Sequence, residues 1–294
     1  MTDRLVFFGT DDFSVSALEA LIDHGFNIVA VVTKPDAPVG RGRSITSPLV
    51  KAIADNRGIP VLQPAKLSDI AIDLKALHPD AGIVVAYGKI IPQSIIDLFA
   101  KGLINIHASL LPRYRGSSPI EAAILNGDPE TGVSVMRITA GLDAGPIYST
   151  AILPLSGRET KPQLFELLGR LGADTLIKIL PDILDGRLTA LAQNDDQAVA
   201  VKLIRKTDGQ IDWNQPADII DRQIRAYLGW PGSRTSLYGR EVIITAAHPA
   251  LPNEDVSRQL THPTATASLV IDRLQPAGKR EMTGREYLAG HNRG

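Results

Sequence analysis

The sequence predicts an α/β protein in which a doubly wound, mostly parallel sheet is followed by a small C-terminal β-barrel. Three observations carry this. Short, almost wholly apolar runs recur through the first half with amphipathic segments between them, the pattern of parallel strands buried on both faces. From Asp208 the texture changes to one short helix and then β-rich segments, as a small barrel would produce. A chain of 294 residues with 44% hydrophobic content is long enough for two such cores.

The elements follow in order. "RLVFFG" (4–9) is a strand, and Phe13, Val15, Leu18, Leu21 and Ile22 after it fall at helical spacing. "NIVAVVT" (27–33), "GIPVLQP" (58–64), "DAGIVVAYG" (80–88) and "LINIHA" (103–108) repeat the strand pattern. Helices are expected between them near 47–57, 68–77 and 92–100. "GVSVMRIT" and "GPIYSTAILPL" flank "AGLDAG" and suit antiparallel strands at the sheet edge. A long helix is predicted over Lys161–Leu184, from Leu164, Leu167, Leu168, Leu171, Leu176 and Ile179. The polar stretch after it reads as an exposed linker. The domain reading is 1–189 for the sheet domain, 190–207 for the linker and 208–294 for the barrel, where "ADIIDRQIRAY" is a helix, "TSLYGREVIITAA" and "TASLVIDRLQP" hold strands, and 249–264 is a polar loop.

Composition excludes several classes. A net charge of −1 gives no global attraction to a polyanion, so any nucleic-acid contact must be local. The absence of cysteine removes disulfides, thiolate nucleophiles and cysteine-ligated zinc, and agrees with a reducing compartment. The N-terminus lacks a signal-peptide pattern and no apolar run is long enough to span a bilayer, so a cytoplasmic protein is expected. "FFGTDDF" offers one glycine where dinucleotide binding wants three, which counts against a nicotinamide-dependent oxidoreductase.

The informative stretch is "LINIHASLLPRYRG" (103–116). In open α/β sheets ligands sit beyond the carboxyl ends of the strands. Asn105 and His107 stand at such an end and, two residues apart, point to the same face. Pro112 and Gly116 then turn the chain away. In "TAGLDAGPI" (139–147), Gly141 and Gly145 flank Asp143, and glycines permit the backbone angles or close approach that would aim its carboxylate inwards. An Asn, a His and an Asp from adjacent strand-end loops can move protons and stabilise an oxyanion. A metal fits less well, because one His and one Asp leave ligand positions unfilled.

"NIHASLLPRYRG" together with "GLDAGPI" resembles the folate-dependent formyltransferases. "TKPDAPVGRGRSITSPLVKAIADNRGIPVLQP" and "GQIDWNQPADIIDRQIRAYLGWPGSRT…LQPAGKREM" extend that resemblance along nearly the whole chain, towards the members that act on methionyl-tRNA. An amino-sugar acceptor is the alternative within the family, and a non-catalytic folate or RNA binding module lies outside it. The sequence departs from the family at "GTDDF", at "YLGWPG", and in a shorter stretch between "VIITAAH" and "LQPAGK", which implies a trimmed barrel.

The resemblance implies a Rossmann-like catalytic domain, an OB-like barrel, 10-formyltetrahydrofolate as formyl donor, initiator methionyl-tRNA as acceptor, no metal, no membrane and a monomer. It implies Asn105, His107 and Asp143 as catalytic residues, Asn105 and His107 donating to the formyl oxygen. Asp143 either accepts the amine proton through water or holds the His107 tautomer. A folate slot is implied at Ala86, Tyr87, Gly88 and Ile90 with Ser109, Leu110, Leu111, Pro112 and Gly141, Ser109 being a pocket or turn residue rather than a nucleophile. For tRNA it implies Lys34, Arg41 and Arg43 on a mobile loop, extended by Lys206, Arg225, Lys279 and Arg280.

Overall fold

The computed structural model describes residues 2–39 and 44–291. The chain forms two compact units: Met1–Gly116 with Thr131–Leu153 and Phe165–Ala200, and Ser117–Glu130 with Pro154–Leu164 and Val201–Gly294. Up to the second unit's sheet the strands are β1 (Arg4–Gly9), β2 (Asn27–Val32), β3 (Ala37–Val39), β4 (Ser44–Thr46), β5 (Val61–Leu62), β6 (Ala81–Val85), β7 (Leu103–His107), β8 (Arg115–Gly116), β9 (Glu130–Arg137), β10 (Ile147–Pro154) and β11 (Ala200–Val201). The helices over the same span are α1 (Val15–Asp23), α2 (Leu49–Asn56), α3 (Ala71–Ala76), α4 (Gln93–Ile96), α5 (Pro119–Asn126) and α6 (Lys161–Leu184).

The first unit is built on a seven-stranded sheet of order β10-β9-β7-β6-β1-β2-β5. β1 pairs in parallel with β2 and β6, β6 in parallel with β7, and β7 antiparallel with β9. Leu5, Val6, Phe7 and Phe8 alternate in direction yet are all fully buried, so both faces of the central strand are covered. The chain winds outwards through β2 and β5, then returns to β6 and β7 on the other side of β1. The switch point therefore lies between β1 and β6, and the β6 and β7 ends open beside it.

α6 has the predicted bounds, with Leu164, Leu168, Leu176 and Leu180 buried; Leu167, assigned to the same stripe, is 46% exposed. The helix comes close to β7 because Gly172 has no side chain: a Cβ there would lie 2.6 Å from Ile106 Cγ2. Other expectations need correction. α4 is a single turn where a nine-residue helix was expected. The loop after β2 contains the antiparallel pair β3–β4, Ala37 opposite Thr46 and Val39 opposite Ser44, with Arg41 and Arg43 outside the described residues. The expected linker is bound to its surroundings. Leu191 exchanges two backbone hydrogen bonds with Ile147, each 2.8 Å, and Arg115 N donates to the Val199 carbonyl at 2.9 Å as β11 joins β8.

The second unit contains α5, α7 (Ala217–Ala226), the strands β12 (Ser233–Leu237), β13 (Arg240–Pro249), β14 (Thr261–Pro263), β15 (Ser268–Pro276) and β16 (Met282–Thr283), and α8 (Gly284–His291). The sheet order is β12-β13-β15-β14, with β16 also on β15, and among the described residues no pairing joins β12 to β14. β12 and β13 turn on Tyr238-Gly239, both at positive φ (49° and 72°), the mirror-image turn that matches strand twist. Register shifts at Ile244–Ala246–Ala247 bend β13. Ile220 and Ile224 of α7 close the core against Val242, Ile244, Leu269, Ile271 and Leu274. Sequence periodicity did not reveal α5, although Ser118, Pro119 and Gly127 (φ 64°) punctuate it as start and stop signals should.

On this sheet His248 is held between carboxylates, its Nδ1 2.8 Å from Asp272 and its Nε2 3.1 Å from Glu254. Burial alone would lower the imidazole pKa, but the two carboxylates outweigh it and raise it above 6.5. A raised folded-state value contributes stability that is complete below pH 6.5 and is lost as pH rises through the folded value. Denaturant midpoints measured across that range should fall with rising pH, and His248→Gln should remove that part of the slope.

Candidate active site

β7 delivers the first two groups. Its backbone is paired on both sides, Asn105 with Val84 of β6 and Met136 of β9, so strand alternation fixes Asn105 and His107 on one face. Asn105 is half-buried, and its carboxamide has no protein hydrogen-bond partner among the described residues. His107 is 6% exposed. Its Nε2 lies 2.8 Å from the Tyr114 carbonyl oxygen, which can only accept, so Nε2 carries a proton and donates it. In the neutral ring Nδ1 is therefore the bare nitrogen, and it lies 3.7 Å from Asp143 Oδ2.

The turn after β7 is closed by its own polar groups. Ser109 Oγ donates to the Arg113 carbonyl at 2.6 Å, while Ser134 Oγ donates to the Ser109 carbonyl at 2.8 Å and accepts from Leu111 N at 3.0 Å. Ser109 is fully buried with its hydroxyl thus occupied, which makes it a turn residue rather than a side chain facing a ligand. Leu111 is buried, and Leu110 and Pro112 are half-buried.

Asp143 lies in the β9–β10 connection. The positive φ falls on Asp143 itself, at 46°, rather than on the flanking glycines. Its Oδ2 accepts from Gly116 N at 2.9 Å, so the turn after His107 and the Asp143 loop are directly joined. Gly145 is needed for close approach: a Cβ there would sit 1.8 Å from the Arg137 carbonyl oxygen. Gly145→Ala should therefore destabilise the first unit by about 1–3 kcal/mol, the usual cost of overpacking, read from its denaturant midpoint. Gln193, from the supposed linker, donates to the Asp143 and Gly145 carbonyls at 2.8 and 2.7 Å, and Arg115 Nε donates to its Oε1 at 2.9 Å. Spacing gives neither residue a role, because a side chain held by backbone carbonyls, as Gln193 is, or by other polar side chains, as Arg115 is, leaves no periodic signal.

The segment after β6 divides in two. Tyr87 is 2% exposed and turns into the core, its ring edge-on to Phe8 at 5.7 Å, so its side chain does not line a slot. Burial pushes its phenol up to about 12. Ala86 and Gly88 take positive φ (45° and 69°), and Ile90 is 92% exposed. Lys89 Nζ fastens the segment by donating to the Pro64 and Ala65 carbonyls, both at 2.9 Å. Gly141 and Leu142 are also exposed.

The basic residues fare unequally. Lys34 does not project from a mobile loop: Gln63 donates to its carbonyl at 2.9 Å, and its Nζ lies 2.6 Å from where a Gly88 Cβ would be. Lys206, Lys279 and Arg280 are exposed. Arg225 is not available as expected. Its Nε is 3.0 Å from Asp221 one helical turn away and its Nη1 donates to the Glu159 carbonyl at 2.9 Å, a packing role within the second unit.

Comparison with known proteins agrees with this layout. Residues 3–180 match the formyl transferase family and residues 203–292 the formyl transferase C-terminal domain. A methionyl-tRNA formyltransferase from Chloroflexus aggregans is 40% identical over 299 residues, covering 98% of this chain and 97% of that protein. Another from Halorhodospira halophila is also 40% identical, over 99% and 97%. Among solved structures, an N-formyltransferase from Helicobacter canadensis in complex with folinic acid and dTDP-3-aminofucose superposes with a TM-score of 0.70 at 22% identity, over 94% of this chain and 100% of that one. HypX from Aquifex aeolicus with tetrahydrofolic acid gives 0.68 at 15% identity, with 99% of this chain spanning 48% of that one. A two-unit α/β chain matched along almost its whole length at this identity belongs to the methionyl-tRNA formyltransferase family.

Proposed function

We propose that this enzyme transfers the formyl group of 10-formyltetrahydrofolate to the α-amine of initiator methionyl-tRNA, giving N-formylmethionyl-tRNA. The observation that carries the reading is the half-buried Asn105 carboxamide on the same strand face as His107, whose bare Nδ1 faces Asp143.

The amine attacks the formyl carbon, a C–N bond forms, and the carbonyl electrons move onto oxygen. Asn105 N–H stabilises that oxyanion more than the ground state. The amine proton passes to His107 Nδ1, and Asp143 stabilises the resulting imidazolium. Collapse breaks the bond to N10 of tetrahydrofolate, which takes the proton from Nδ1. The Tyr114 carbonyl accepts from Nε2, which supports a charge-stabilising or proton-accepting role for Asp143 over a tautomer-holding one. His107 acts as an oxyanion donor only when its ring is protonated.

The donor lies along Ala86, Gly88, Ile90, Leu110, Leu111, Pro112 and Gly141, with Tyr87 offering backbone. Lys34, Arg41 and Arg43 meet the acceptor end, and Lys206, Lys279 and Arg280 add phosphate contacts. The first unit, residues 190–200 included, is the catalytic part and the second unit binds the acceptor, in a cytoplasmic monomer.

Formyl transfer assayed with charged initiator tRNA and with an amino-sugar nucleotide tests the acceptor. Product from the sugar but not the tRNA would overturn the assignment, and product from neither would overturn the reaction. In the same assay Arg41→Ala should raise KM for methionyl-tRNA about tenfold or more, the scale of a lost charged hydrogen bond, with little change for the donor. Equal effects on both substrates would remove Arg41 from acceptor binding.

A further inference from the structure

We infer that Gln193 is a positioning residue for formyl transfer, clamping the Asp143 loop from the segment that leads towards the C-terminal unit. The inference rests on the reading of Asp143 given above.

The Gln193 carboxamide is half-buried and makes three hydrogen bonds. Nε2 donates to the carbonyls of Asp143 (2.8 Å) and Gly145 (2.7 Å), and Oε1 accepts from Arg115 Nε (2.9 Å). Its orientation is unambiguous, because the two carbonyls can only accept and the guanidinium can only donate. Arg115 Nη2 is held in turn by Asp195 at 2.7 Å. The next residue, Gly116, donates its N–H to Asp143 Oδ2 at 2.9 Å. Three segments thus close a ring: Gln193 grips the Asp143 backbone, Gly116 grips its carboxylate, and Arg115 ties Gly116 back to Gln193.

The loop needs such help. Asp143 sits at φ 46°, a region unfavourable to residues with a side chain. Leu142 beside it is 69% exposed, so little apolar packing anchors the tip. Within the loop the Ala144 N to Gly141 O contact is long, at 3.5 Å. Gln193 supplies from outside the restraint that the loop lacks within itself. Its effect on chemistry follows from distance, since the His107 Nδ1–Asp143 Oδ2 separation of 3.7 Å must tighten for the carboxylate to hold a proton-bearing ring.

Two full-length variants test this. Gln193→Met removes all three hydrogen bonds at similar length; Gln193→Glu keeps an acceptor for Arg115 and loses both donations. Both should lower kcat about 10²-fold, the scale of a small misplacement at a reacting centre. KM for methionyl-tRNA and for 10-formyltetrahydrofolate should stay within about threefold, as for an interaction needed in the transition state. The thermal midpoint should move little, and amide hydrogen exchange over residues 140–145 should accelerate. The clamp is overturned if either variant keeps parental kcat, if exchange in the loop is unchanged, or if the loss follows a fallen thermal midpoint. Asp143→Asn run alongside separates the two readings. If it retains parental turnover, the role of Asp143 fails and loop exchange alone decides the clamp; if it is crippled while Gln193→Met is not, only the clamp fails.

Discussion

Asn105→Ala lowers kcat for formyl transfer by about 10²–10³ while leaving the fold unchanged, the loss typical of one oxyanion donor. The half-buried carboxamide projects from a strand paired on both sides, so the direction in which the side chain leaves the backbone is set before substrate arrives. A preorganised donor acts chiefly on the charge that develops at the formyl oxygen, and KM for either substrate should therefore change much less than kcat. Since the carboxamide has no protein partner among the described residues, truncation leaves no orphaned group and the thermal midpoint should hold. Steady-state kinetics with both substrates varied checks this, and parental turnover would remove Asn105 from the chemistry.

Asp143→Asn has the second large effect, a fall in kcat of about 10²–10⁴ in line with the loss of acid–base function. The substitution preserves shape and can still accept from Gly116 N, so the loop should stay in place. What disappears is the negative charge facing Nδ1 of His107. A neutral amide cannot offset an imidazolium, so proton transfer from the amine becomes costlier. Because the carboxylate is proposed to take part in proton transfer, the pH profile of kcat in the variant should differ from the parent's in shape or in height. A profile that keeps its limbs and its height would show that Asp143 takes no part in proton movement.

Elements with a period were legible in the sequence. β1, β2, β6 and β7 announce themselves as apolar runs because they are buried on both faces, and α6 does so because Leu164, Leu168, Leu176 and Leu180 recur along one stripe. Asn105 and His107 stood out as polar residues at the end of such a run. Short or polar-held elements were not legible. β8 and β11 have two residues each, too few for alternation, and α4 is one turn. Gln193 contacts two backbone carbonyls and Arg115, and Arg115 contacts Gln193 and Asp195; such contacts depend on where the chain has travelled rather than on spacing. The left-handed backbone of Asp143 was hidden for a similar reason, since glycines on either side drew the expected flexibility to themselves.

The docking of residues 191–201 along β8 and β10 sets where this protein can be recombined with its relatives. A splice at residue 190 takes Gln193 from one parent and Arg115 and the Asp143 carbonyl from the other, so the clamp is kept there only where the second parent also places a carboxamide at that position. A crossover just beyond Val201 keeps strand, arginine and glutamine from one parent, so turnover of hybrids made there should not depend on what the other parent carries at the position of Gln193.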